Sequence, residues 1–107
     1  MTTMTQNHKA KHCNSMAEVR QHIDALDQRI VALMAERSGY MTQAARIKQD
    51  VNQVHDQDRI DFIVDRVKAM AREMGAPDAV IEAAYRAMID ASIAFEHDEF
   101  ARLRQEV

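Results

Sequence analysis

Arg37 and Lys48 fall on what is otherwise the apolar face of a helix. In "IVALMAERSGYMTQAARIKQD", residues 30–50, the alternating spacing of three and four that joins Ile30 to Leu33 continues to Arg37, Tyr40 or Met41, Ala44, and Ile47 or Lys48. At about 100° per residue, Ala44 and Lys48 each lie within roughly 20° of Arg37 on the helix wheel. An unpaired charge turned toward a core is costly, so both cations require an anion. Two readings fit. The side chains snorkel at the edge of the stripe, or pair with acids of the next helix such as Asp56, Asp58 or Asp61. Alternatively they line a pocket for a small polyanion, Arg37 offering a planar fork matched to a carboxylate and Lys48 a compact charge that can face a single oxygen.

Other residues belong to the same chemistry. Arg20 lies near the stripe but about 25 Å along the helix from Arg37, so within one chain the two cannot share a ligand. In a two-fold pair with antiparallel long helices they could. Arg59 stands beside Asp56 and Asp58, where a surface ion pair of little energetic value is the alternative. Further on, Ile81, Tyr85, Met88 and Phe95 share a face with Ser92 and Glu96. A serine there also serves as a small filler. A carboxylate there is either at a wet rim or desolvated, and as the neutral acid it can donate a hydrogen bond.

The elements that must position these groups are helices. Two glycines and one proline are spread over 107 residues of which 47% are hydrophobic, favouring long uninterrupted helices and an all-α fold. Residues 1–14 show no periodicity and read as a flexible N-terminal tail, leaving 15–107 as a single helical domain. Ser15 and Glu18 form an S-x-x-E capping box at the start of the first helix. Val19, Ile23, Leu26, Ile30 and Leu33, extended by Met41, Ala44 and Ile47, then define one helix of more than thirty residues. Such a helix is about 45 Å long, and two shorter helices of one chain cannot cover its stripe, so a second copy is the expected cover. After a break at "QDVNQVHDQ" the periodicity predicts a second helix over 58–74, ended by Gly75, and a third over 77–104 with Pro77 in its first turn.

Composition removes several function classes. A net charge of −3 disfavours a nucleic-acid partner, and "AREMGAPDAVIEAAYRAM", a helix, glycine and helix, is a weak DNA-binding motif whose second helix is more acidic than basic. One cysteine cannot form an internal disulfide, and neither a membrane-spanning run nor the apolar core of a signal peptide is present, so the expected location is cytoplasmic. His8, His12 and Cys13 lack a fourth ligand and a rigid frame, so no metal is expected. Eight methionines would also suit a non-catalytic helical dimerisation module, which would explain the stripe but not Arg37 and Lys48 within it.

The segments "VRQHIDALDQRIVALMAER", "ARIKQD", "HDQDRI" and "MIDASIAFE" carry a resemblance to the all-helical, bacterial type II chorismate mutase family, covering residues 16 to about 104. It implies an intertwined homodimer of three-helix chains, one helix long and two shorter, with two equivalent active sites that rearrange chorismate to prephenate in aromatic amino-acid biosynthesis. By that resemblance Arg37 and Arg59 bind the substrate carboxylates, joined by Arg20 from the other chain. Lys48 faces the ether oxygen, Ser92 helps hold a carboxylate, and Asp56 lies by the ring hydroxyl through its backbone. Such a pericyclic step needs a chair-like substrate and stabilised charge on the ether oxygen, and neither nucleophile, metal nor organic cofactor. Two positions depart from the familiar bacterial pattern, which has glutamate where this chain has Ile60 and glutamine where it has Glu96. Glu96 would need a proton to donate to the ether oxygen, and turnover would then fall as pH rises. Ile60 also resembles the related isochorismate pyruvate lyases, the nearest alternative, whereas Ser92 matches the mutase pattern.

Overall fold

The computed structural model describes residues 9–105. The described residues form three α-helices, α1 (Met16–Ile47), α2 (Gln57–Met74) and α3 (Asp78–Gln105), with a single 3₁₀ turn, Val51–Gln53, between the first two. No strand occurs among them. None of these helices is long and apolar enough to cross a membrane. Two compact units divide the chain between Tyr40 and Met41, so α1 contributes to both.

In the first unit, the α1 start carries the expected box in altered form. The Glu18 amide donates to Ser15 Oγ at 3.2 Å, but the Glu18 carboxylate accepts from the Asn14 amide at 3.1 Å and from the Ser15 hydroxyl. Orphan donors at the helix start are thereby satisfied one residue further out than the simple motif implies. The apolar stripe that follows is open in the single chain, with Ile23 49%, Leu26 48%, Ile30 50% and Leu33 64% exposed.

The second unit holds the core. Ala45, Val54, Val64, Ala71 and Ile89 are its buried apolar residues, drawn from α1, the segment before α2, α2 and α3. On α2, Val64 and Ala71 are fully inside while Ile60, Ile63, Val67 and Met70 are half-buried, which follows the predicted periodicity. Gly75 ends α2 at φ 75°, the left-handed region glycine enters without steric cost, and the Ala76 amide returns to the Ala71 carbonyl at 2.8 Å. Pro77 stands just before α3, its carbonyl accepting from Val80 and Ile81, and Arg72 Nε meets Asp78 Oδ2 at 2.6 Å across the turn. α2 and α3 then pack against each other, with Lys68 Nζ 3.1 Å from Glu82. On α3, Ile89 is buried while Phe95 stays 39% exposed, so the inward face lies slightly to one side of the one read from the pattern.

Between α1 and α2 the segment read as a break is structured. Asp50 accepts from the Asn52 amide at 2.8 Å, and Gln53 Oε1 accepts from the amides of Gln49 and Asp50 at 3.0 and 3.2 Å. This is a second capping box, D-x-x-Q, and with Val54 buried it pins the chain where it leaves α1.

Candidate active site

Lys48 is the first residue past α1, yet its amide still donates to the Ala44 carbonyl at 2.9 Å, so it keeps the helical register. That register aims its side chain at α3. There Nζ donates to Glu96 Oε2 at 2.8 Å. Glu96 is the buried charged residue of the described chain, at 3% exposure. Lys48 is therefore paired with α3, not with Asp56, Asp58 or Asp61, the acids around the start of α2 that sequence alone offered. Glu96 acts here as an acceptor, and no buried side-chain polar atom is left without a partner among the described residues.

Next to Lys48 a polar depression is lined by Asn52, Gln53, His55 and Asp56. The Asp56 carboxylate caps α2, its Oδ1 accepting from the Arg59 amide at 3.1 Å. The Asp56 carbonyl in turn accepts from Ile60. Arg59 opens α2 with its guanidinium 5.3 Å from the centre of the Phe62 ring, a cation–π contact in place of the surface ion pair that Asp56 and Asp58 suggested. Ser92 is half-buried one turn before Glu96 on α3, and Ile60 is half-buried on α2. Arg37 is half-buried and Arg20 exposed, both on α1 in the first unit.

Two contacts escaped the sequence. Arg104 reaches from the last turns of α3 to the end of α1, where Nη1 donates to the Ala45 carbonyl at 2.9 Å and Nη2 to the Lys48 carbonyl. Thr42 donates to Glu99 Oε1 at 2.8 Å, and Arg102 Nε donates to Glu99 Oε2 at 2.6 Å. The Arg102 bonds, reinforced by Thr42, hold the Glu99 carboxyl far below its ordinary value of 4.5, at about 2. Cations in the last turn of a helix are common, and nothing local says whose carbonyls they reach.

The His8, His12 and Cys13 cluster falls only partly within the described residues. His8 lies outside the described residues, the His12 ring contacts Asn14 Oδ1 at 3.1 Å, and the Cys13 thiol faces the Lys11 carbonyl. No group of three or more His, Cys, Asp or Glu able to hold a metal occurs among the described residues.

A family model described as chorismate mutase type II matches residues 19–97, a span that includes Arg20, Arg37, Lys48, Asp56, Arg59, Ser92 and Glu96. A chorismate mutase of Methanocaldococcus jannaschii is 34% identical over 59 residues, a stretch covering 54% of this chain and 60% of that protein. With three helices in the expected order and most of the chain inside the matched span, the chain belongs to the chorismate mutase type II family.

Proposed function

We propose that this protein is a chorismate mutase, an isomerase that rearranges chorismate to prephenate, with residues 15–107 as the catalytic domain and 1–14 as a tail. The carrying observation is the Lys48–Glu96 pair, a cation seated at the end of α1 against a buried carboxylate, in a chain of this family. Lys48 stabilises the charge that develops on the ether oxygen as the carbon–oxygen bond breaks, and binding in a chair-like shape supplies the rest of the acceleration. Glu96 completes the contact to that oxygen when it carries a proton. Arg37 and Arg59 hold the carboxylates with help from Ser92, and Asp56 lies by the ring hydroxyl. No cofactor enters the scheme.

The same reading makes the protein an intertwined homodimer in which Arg20 of one copy serves the site of the other. Its support is the α1 stripe of Ile23, Leu26, Ile30 and Leu33, large apolar side chains at helical spacing that the single chain leaves about half exposed or more. A cytoplasmic location agrees with a chain that has a single cysteine.

Purified protein incubated separately with chorismate and isochorismate, with product identification, tests the proposal. Prephenate from chorismate at an enzymatic rate is expected. Pyruvate and salicylate from isochorismate with little prephenate would replace the mutase by a lyase, and inertness toward both would leave a non-catalytic helical dimer.

A further inference from the structure

We propose that Arg104 is a positioning residue for Lys48, holding the backbone at the end of α1 so that the lysine ammonium stands where the reacting oxygen needs it. The activity part of this rests on the mutase reading above. The structural part does not.

The last carbonyls of a helix lack partners within it. At the end of α1 the Ala45 carbonyl and, one residue beyond the helix, the Lys48 carbonyl receive the two terminal nitrogens of one guanidinium. Arg104 is itself held, for Nη1 also donates to the Phe100 carbonyl at 3.2 Å and its central carbon lies 3.4 Å from the centre of the Phe100 ring. A planar fork lying on a ring presents both donors in a fixed plane, which a lysine in its place cannot do.

For Lys48 the result is a double grip by one helix. Its amide is bonded to Ala44, its carbonyl to Arg104 and its ammonium to Glu96, and the last two partners both belong to α3. Its four-carbon stem has many rotamers, so the place of the ammonium depends on where the backbone is anchored. Moving that anchor by about 1 Å is enough to cost on the order of a hundredfold in rate. Arg104 also lies beyond residues 19–97, the span matched by the family model, so this anchor is read from this chain's own geometry.

The competing explanation is that Arg104 merely stabilises the helix end by its charge. Arg104→Gln and Arg104→Lys separate the two. In Arg104→Gln, kcat is expected to fall about tenfold to a hundredfold. KM is expected to change by less than about threefold, because the loss appears mainly in the transition state. Arg104→Lys keeps the charge and recovers thermal stability but not kcat, since the fork is gone. A kcat within about twofold of wild type in folded Arg104→Gln, or full recovery of kcat by lysine, overturns the proposal.

Reductive ¹³C-methylation of the protein, with the Lys48 signal assigned by its loss in Lys48→Arg, gives a readout independent of turnover. Arg104→Gln is expected to shift that signal while the other lysine signals stay in place, and an unmoved Lys48 signal counts against the proposal. Should wild-type protein leave chorismate untouched, the mutase reading fails and this resonance alone decides the role of Arg104. If Arg104→Gln does not fold, Arg104→Lys carries both measurements with the same expectations.

Discussion

The Lys48 ammonium lies 2.8 Å from Glu96 Oε2, and the two ends of this pair meet water unequally, the lysine side chain being 28% exposed and the glutamate side chain 4%. Removing either partner therefore does different things. Without Lys48 a buried carboxylate loses its counter-charge, whereas without the Glu96 charge the ammonium can still turn toward solvent. Lys48→Met is expected to destabilise the fold by about 3 kcal/mol or more. Glu96→Gln, which keeps shape and hydrogen-bonding capacity, is expected to cost about 1 kcal/mol. Urea unfolding at neutral pH measures both, and equal costs would mean that the carboxylate is as well solvated as the lysine.

Activity separates the cations by role. Lys48→Ala removes a charge aimed at the transition state, and kcat/KM is expected to fall about a hundredfold or more, chiefly through kcat. Arg59 is assigned to ground-state carboxylate binding, where its planar fork and its seat over Phe62 both matter. Arg59→Lys keeps the charge but not the geometry, so KM is expected to rise about tenfold with a smaller change in kcat. Steady-state kinetics with chorismate distinguishes these patterns, and a pure kcat loss at Arg59 would move that residue to the reacting oxygen.

The legible parts of the molecule were those decided within a few residues of chain. Ser15 with Glu18 marked the first helix start, and Gly75 marked the end of α2, because caps and left-handed turns are local chemistry. The same logic was available at Asp50 and Gln53, whose D-x-x-Q box is as plain as the first but sits inside a segment read only as a break. Partner identity was not legible. Whether Lys48 meets Asp56, Asp58, Asp61 or Glu96 depends on which helix lies against the end of α1, and the reach of Arg104 to the Lys48 carbonyl depends on where α3 stops relative to α1. A stripe is also broad enough that Ile89 and Phe95 exchange places between the inferred and the actual inner face of α3.

Glu99 makes stability depend on acid. Its folded-state carboxyl titrates at about 2, below the ordinary 4.5, because Arg102 and Thr42 donate to it. A depressed carboxyl stabilises the fold fully above the unfolded value, and that contribution is lost as pH falls toward 2. Glu99→Gln removes the group. The gap in melting temperature between wild type and variant is therefore expected to be constant near neutrality and to close as pH is lowered from 4.5 toward 2. A gap unchanged over that interval would show that Glu99 acts through packing and not through its charge.

Shared sites leave a distinctive arithmetic when crippled chains are mixed. If Arg20 serves the opposite copy while Lys48 serves its own, Arg20→Ala and Lys48→Ala chains are each nearly inactive alone. In a mixed dimer the site keeping Lys48 receives Arg20 from the Lys48→Ala chain and is whole, while the other site lacks both residues. Random exchange makes half the dimers mixed, with one whole site of two in each, so an equimolar mixture is expected to regain about a quarter of wild-type activity. No regain after unfolding and refolding the mixture together would put Arg20 and Lys48 in the same chain's site. Leu26→Asp supplies the complementary control. Placing a charge on a stripe residue that is 48% exposed in the single chain costs an isolated chain little, but at a dimer seam it should yield monomers by sedimentation and abolish turnover with the helices still formed.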